Sequence, residues 1–273
     1  MSDAPEHVAA KAMVADVFTA SAPTYDQVID FFGPFGAALV AAADLPRGAT
    51  VLDVACGRGA CLRPALESVG PEGTVLGIDL SPGMVAHLAE DLAAAGASNA
   101  EVRVGDAEAI DLPSSSVDAV LAGFVIFFCP DPDRVLAEAA RVLRPKGVLA
   151  LSTFDGDTPS KWLRSVGEEL FGATDPRPSE AFDRIEVLEP ALVHAGFTDI
   201  TGIDVREPVR FASLDQLEAW HRSHFARLML EVLSAEQLEV YRARMAEHLE
   251  PNRQPDGSYL LTQRARITVA RRR

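Results

Sequence analysis

Apolar positions in the first half of the chain change period in a regular alternation. Val51–Ala55 (VLDVA) is a short apolar run ended by glycines, after which Leu62, Leu66 and Val69 recur at helical spacing. TVLGIDL (Thr74 to Leu80) is a second buried run, followed by Ser81-Pro82, an N-cap with proline at the first helical position. Val85, Leu88 and Leu92 form the stripe of that helix, and Gly96 is placed to end it. EVRVGD predicts a third strand and VDAVLAGFVIFF a fourth. Val135, Leu136, Ala139, Val142 and Leu143 mark another amphipathic helix, closed by Pro145-Lys146-Gly147, and VLALSTF is the fifth strand. Strands that are apolar on both faces and alternate with helices predict a parallel sheet covered on both sides. Right-handed crossovers make it doubly wound, with ligands at the carboxyl ends of the strands.

Three accessory regions flank this block. Residues 1–47 read as helical, and residues 155–185 as a Pro/Gly/Asp-rich connection holding a short helix around Trp162 to Leu170. A helix near Val187 to Ala195 leads to a strand at Thr198 to Val205. Two further helices are each opened by a capping box, Ser213 with Gln216 and Ser234 with Gln237, and a final strand spans Tyr259 to Val269. The expected divisions are therefore 1–47, a core over 48–206, a helical insertion over 207–258, and a last strand with a basic tail over 259–273.

Charge and cysteine usage narrow the classes of partner. Forty acidic against 25 basic residues give a net charge of −15, which works against binding nucleic acid or an anionic membrane. The basic end, ITVARRR, reads as a solvated tail. No apolar run reaches the roughly 18 residues of a membrane span. The acidic start lacks the pattern of a signal peptide. Cys56, Cys61 and Cys129 make no even framework, and no Cys/His cluster has zinc spacing. A reduced, cytoplasmic protein without a metal is expected, monomeric or homodimeric.

The glycine loop narrows the ligand. Gly57 and Gly59 fit a dinucleotide fingerprint, but its third glycine is replaced by Leu62, and no Lys-Ser or Lys-Thr follows to make a phosphate loop. Asp53 lies inside the strand, four residues before Gly57. A carboxylate there repels a pyrophosphate and suits an ammonium group, while the N–H groups of the loop receive a carboxylate. An amino acid moiety has both. Asp79, twenty residues after Gly59, is placed to take two ribose hydroxyls. Asp106 is placed to accept an adenine amino hydrogen, Ala107 to meet the ring nitrogen and Leu80 to pack on the adenine face.

VLDVACGRG, GIDLSPGM, VGDAEAIDLP and RVLRPKGVL, in this order and spacing, resemble a class I S-adenosylmethionine-dependent methyltransferase of the ubiquinone/menaquinone-biosynthesis-like group. The resemblance covers residues 48–154 well and the rest in outline. It implies a Rossmann-like, doubly wound α/β fold of seven strands with the last antiparallel, and a helical lid over the acceptor site. It further implies S-adenosylmethionine contacts from Tyr25, Asp53, Ala55, Cys56, Gly57, Gly59, Asp79, Leu80, Met84, Asp106, Ala107 and Gly123. Phe127-Phe128 stand where the group has Arg-Asn.

The Asn/Asp-Pro-Pro-aromatic motif of amino-group methyltransferases is missing after the fourth strand. Asp131 and Asp133 read as charges capping the following helix rather than as magnesium ligands. Leu217, His221, His224 and Leu228 fall on one helical stripe flanked by Trp220 and Phe225. The two histidines are either satisfied at the rim of a packed interface or face the pocket as a general base. Phe124, Phe127, Phe128, Trp220 and Phe225 suggest an apolar or aromatic acceptor: a quinol, a phenol or a natural-product intermediate. The alternative is a protein of the same fold that binds the cofactor in a pericyclase-like or binding role and transfers no methyl group.

Overall fold

In the computed structural model, which describes residues 4–154, 161–172 and 180–273, two helices, α1 (Pro5–Ser21) and α2 (Gly33–Ala43), precede the alternating block. The block opens with β1 (Thr50–Val54), α3 (Leu62–Val69), β2 (Thr74–Asp79) and α4 (Pro82–Ala94). It continues through β3 (Ala100–Val104), β4 (Val117–Gly123), α5 (Pro132–Val142) and β5 (Leu143–Phe154). Local chemistry sets the helix starts. The Ser81 hydroxyl accepts the Met84 N–H ahead of α4, and the Asp131 carboxylate accepts the Arg134 N–H ahead of α5. Asp131 is thus a cap.

The second half holds α6 (Lys161–Phe171), α7 (Ile185–His194), β6 (Phe197–Phe211), α8 (Leu214–Arg222), α9 (Arg227–Leu230), α10 (Ala235–Leu249) and β7 (Tyr259–Arg272). All seven strands join one sheet in the order β3-β2-β1-β4-β5-β7-β6. β1 to β5 run parallel, and β7 is antiparallel to both β5 and β6. β4 lies beside β1 although β2 and β3 intervene in the chain, so the winding reverses there and leaves a crevice at the strand tips. One face of the sheet buries Leu136, Val142, Leu149 and Phe197, and the other buries Leu39, Leu62, Leu88 and Leu121. A third cluster, with Phe35, Trp162, Phe211, Trp220 and Tyr241, packs the accessory helices over the β6–β7 end.

Four expectations need correction. β4 stops at Gly123: Phe124 turns into the left-handed region (φ 52°), and a 3₁₀ turn over Ile126–Phe128 replaces the last predicted strand residues. β6 continues to Phe211, so a division at 206/207 falls inside a strand that β7 pairs as far as Phe211↔Tyr259. The basic end is not a solvated tail. Arg271 and Arg272 belong to or flank the last β7 pairings, and their side chains donate to the Lys146 carbonyl and the Ser115 hydroxyl. The Gln216 amide oxygen accepts from Ala212 rather than Ser213, leaving that box half-built, whereas the Ser234–Gln237 box is complete. The helix expected around Trp162 to Leu170 is α6, but 155–160 and 173–179 of its connection lie outside the described residues. Among the described residues no helix is long and apolar enough to cross a membrane.

One close contact ties the fold to the crevice. A Cβ on Gly36 of α2 would overlap the carbonyl of Ala60, so α2 packs directly on the loop after β1. Gly36→Ala is expected to destabilise the chain by about 1–3 kcal/mol through overpacking. Urea unfolding measures this; a midpoint equal to that of the unmodified chain would show that the loop yields freely.

Candidate functional site

The crevice opens into a cavity of about 1450 Å³ at the tips of β1, β2 and β4. Drug-sized ligands occupy pockets of about 300–1,000 Å³, so the space suits more than one small molecule. Its walls come from the tip of each strand, from α1 and the segment before α2, and from residues 220–232. Two non-glycine residues at adjacent strand tips, Ala55 (φ 55°) and Phe124 (φ 52°), hold left-handed backbone. Each such residue costs on the order of 1–3 kcal/mol, and such strain concentrates at functional sites.

Strand β1 delivers Asp53 into this space, and the turn that follows is built from Gly57 (φ 50°) and Gly59 (φ 89°). The Cys56 N–H donates to Ile78 O (3.0 Å) and the Gly59 N–H to Cys56 O (2.8 Å), fastening the turn to β2 and to itself. Each Asp79 oxygen accepts one backbone N–H, Oδ2 from Gly57 and Oδ1 from Ser81, each at 2.8 Å, which leaves further acceptor capacity on both. Asp53 is different. It is 1% exposed, and its Oδ2 has no hydrogen-bond partner. Burial, then the nearby Asp79 charge, push the Asp53 carboxyl well above the usual carboxylate range. Burial also raises Asp79, against its two backbone hydrogen bonds.

Arg58, between the two glycines, also lines the cavity. Its guanidinium pairs with Asp91 (2.9 Å) and reaches Asp26 (3.4 Å), while Nη1 has no hydrogen-bond partner. At the end of β3, Asp106 Oδ1 accepts the Glu108 N–H (2.8 Å). Its Oδ2 pairs with Lys11 of α1 at 2.8 Å, and Lys11 also meets the buried Glu108 carboxylate at 2.7 Å. Leu80, Met84, Ala107 and Gly123 line the same wall. Tyr25 stacks on Phe32 (centroids 5.4 Å apart, 4° between planes), and burial together with Asp79 and Asp26 raises its phenol pKa.

Beyond this polar lobe the cavity becomes aromatic. Phe128 lies 4.7 Å from Phe225 between centroids, and Phe124 lies 4.6 Å from Phe154. Trp220 packs against His224 at 4.2 Å. Helix α8 ends at Arg222, so His224 lies past its last turn and not on a continuous stripe. The two histidine rings nevertheless face one another at 6.0 Å, 19° from parallel, and both line the cavity. His224 Nδ1 donates to the His221 carbonyl (3.0 Å), which leaves its Nε2 as an acceptor. His221 Nδ1 is hydrogen-bonded to the Tyr241 hydroxyl at 2.7 Å. Burial drives His224 down to about 4, against the lift from that carbonyl, and drives His221 well below its usual value.

All the candidate cofactor, catalytic and acceptor residues expected from the sequence reach this cavity except one. Phe127 is 0% exposed in the core beside Ile126 and Leu136, because the 3₁₀ turn rotates it away from the face that Phe128 presents. Lys11 and Arg58 were missed. Arg58 was detectable as a cation between the two glycines of the loop, whereas nothing local to Lys11 pointed to a strand ninety-five residues away. Cys56 and Cys61 are buried free thiols; a Cβ on Gly77 would meet Cys56 Sγ, and one on Gly123 would meet Cys61 Sγ, consistent with small packing groups. Among the described residues no group of three or more His, Cys, Asp or Glu is placed to hold a metal ion.

Residues 51–147, which carry the glycine loop, Asp79 and Asp106, match the model of a methyltransferase domain. The chain is 32% identical to nocamycin O-methyltransferase of Saccharothrix syringae over 253 residues, 85% of this chain and 89% of that protein. It is 39% identical over 144 residues to aklanonic acid methyltransferase of a Streptomyces species, 52% of this chain and 66% of the other. Among solved structures, the YcgJ protein from Bacillus subtilis superposes with a TM-score of 0.63 at 16% identity, covering 88% of this chain and 99% of that one. With the sheet order, the domain match and a relative 32% identical over 85% of this chain in agreement, the chain belongs to the class I S-adenosylmethionine-dependent methyltransferases.

Proposed function

We propose that the chain methylates an oxygen of an apolar, ring-bearing small molecule of the natural-product kind. The observation that carries this reading is the joining of two lobes in one cavity. A polar lobe holding a buried carboxylate with one oxygen unpartnered among the described residues opens on an aromatic lobe holding two histidines that burial keeps neutral. The relatives that act on nocamycin and aklanonic acid, the former named an O-methyltransferase, support the class of acceptor.

In this reading Asp53 receives the cofactor's ammonium group, and the loop Ala55–Gly59 with Arg58 receives its carboxylate. Asp79 takes the ribose hydroxyls, Asp106 and Ala107 the adenine edge, and Leu80 and Met84 its faces. Tyr25 closes the top, and Gly123 leaves room at the tip of β4. Bound S-adenosylmethionine supplies a methyl group on a sulfonium, already activated for in-line displacement. The protein's task is then mainly to align an acceptor oxygen, a contribution equivalent to roughly 7–11 kcal/mol. Phe124, Phe128, Trp220 and Phe225 clamp the acceptor ring. His224 Nε2 accepts the hydrogen bond of the acceptor hydroxyl and takes its proton as the oxygen–carbon bond forms and the carbon–sulfur pair returns to sulfur. His221 is a positioning residue, since its carbonyl holds the His224 ring. Residues 1–47 and the helices after Phe211 act as the lid.

Asp53 gives a test that separates binding from folding. Because its folded-state pKa lies above the unfolded value, the folded chain holds more protons across that interval, and stability falls as pH rises through it. Asp53→Asn removes the buried charge, so the free variant is expected to melt higher than the parent at neutral pH. The gain is about 2–4 °C for each kcal/mol relieved. S-adenosylmethionine should raise the Tm of the parent and leave the variant unmoved; an equal rise in both would remove Asp53 from the site.

Turnover tests the rest. Incubation with methyl-labelled cofactor and a panel of phenols, quinols and ring-bearing acids should release S-adenosylhomocysteine and leave the label on oxygen. A cofactor-binding chain without transferase activity would release none. With a phenolic acceptor, His224→Ala is expected to lower kcat by about 100-fold. Since His224 titrates at about 4, the parent's kcat should not fall between pH 8 and pH 6 as it would for an ordinary histidine base. A variant with unchanged kcat would rule out the proton transfer.

A further inference from the structure

Leu261, Gln263, Ala265 and Ile267 alternate along one face of β7, and Gln263 alone among them carries an amide. The neighbours are core residues of the lid cluster and of the sheet. Gln263 is as buried as they are, at 3% exposure, yet its Nε2 has no hydrogen-bond partner among the described residues. It also lines the cavity. A buried amide left unpaired in an apolar row is unfavourable, and leucine at the same position would remove the penalty without changing the pattern.

The register fixes where this amide stands. Gly123 at the tip of β4 pairs with Ser152, and Ser152 pairs with Ile267. β5 ends at Phe154 opposite Ala265, so Gln263 lies one pleat beyond it, paired on its other side with Glu207. From Ile267 to Gln263 the strand advances about 13 Å. The amide therefore stands well past the β4 tip, on the side of the sheet that Phe154 and the lid cluster occupy. A group bound at the strand tips does not reach it.

We propose that Gln263 is a specificity residue for the acceptor, its amide hydrogen-bonding a carbonyl or hydroxyl oxygen at the end of the ring system remote from the methylated oxygen. This rests on the reading that the aromatic lobe takes the acceptor. An amide presents both donors and an acceptor, so either oxygen function satisfies it. Residues that only shape the lobe, such as Phe154, would favour any ring of the right size. Gln263 instead selects rings that carry oxygen.

The test uses three probes of one shape: fluorene, 9-fluorenone and 9-fluorenol. Their binding to the full chain saturated with S-adenosylhomocysteine is measured by equilibrium dialysis. Gln263→Leu is expected to weaken at least one oxygenated probe by about 3–10-fold and to leave fluorene within twofold, the loss of one hydrogen bond. Gln263→Met carries the same expectation should the leucine variant fail to fold. The S-adenosylhomocysteine-induced rise in Tm confirms that the polar lobe is intact. Equal weakening of all three probes, or of none, overturns the proposal alone. Failure of every probe to bind the parent chain overturns it together with the aromatic-lobe reading.

Discussion

Two carboxylates buried at the tips of neighbouring strands set the terms for the rest of the site. Asp53 and Asp79 approach each other closely enough for the charge of one to raise the pKa of the other, in a setting that already disfavours charge. Asp79 is relieved by two backbone N–H groups, and this fixes the turn: Gly57 must present its N–H to Oδ2, which it does with positive φ. Asp53 is left with an oxygen that has no hydrogen-bond partner among the described residues. The nearest cation in the loop, Arg58, is drawn aside by Asp26 and Asp91. On the proposed reading, this unpaired oxygen would take a cation from outside, the cofactor's ammonium group.

The N-terminal segment is bound to the same strand tips, through other side chains. Lys11 ties α1 to Asp106 and Glu108, the Thr19 hydroxyl lies 2.9 Å from that of Ser81, and Asp26 meets Arg58. Exposed ion pairs contribute little, but the Lys11 and Arg58 side chains are each only 11% exposed, where screening is weaker. Asp106 in particular serves two partners, since one oxygen holds its own turn and the other holds α1. On the proposed reading, the adenine would share this acceptor with the helix that walls the cavity.

The alternating core was legible because β1, β2, β4 and β5 carry runs of buried residues and end in turns whose residues have few alternatives, while β3, at the sheet edge, has no buried residue. VLDVA, TVLGIDL and the Ser81-Pro82 cap landed where their chemistry put them. Phe127 was not legible: period-two alternation continued through GFVIFF, and only the left-handed Phe124 switches the chain to a three-residue repeat that hides Phe127 and presents Phe128. The end of β6 was obscured for a related reason. Many of its residues are exposed, so its pattern is polar, and its length comes from pairing with β7. Lys11 and Gln263 share one cause of invisibility. Each owes its place to a partner far away in the chain, and no local period marks either.

The histidines complete the electrostatic pattern. A protonated imidazole in the aromatic lobe would place a positive charge in the same cavity as a sulfonium. At an effective dielectric near 20 and a separation of about 4 Å, like charges repel by roughly 4 kcal/mol. Burial against Trp162, Trp220 and Tyr241 keeps His221 and His224 neutral, and the carbonyl that accepts from His224 Nδ1 selects the tautomer with a free Nε2. Aromatic faces attract a cation, a neutral Nε2 accepts a proton only as one is released, and the two strand-tip carboxylates draw positive charge to the other lobe. On the proposed reading, these groups favour a cationic ligand beside an acceptor that loses its proton late. On that reading the depressed histidines, which look poorly matched to a general base, would let cofactor and acceptor lie side by side without a second positive charge.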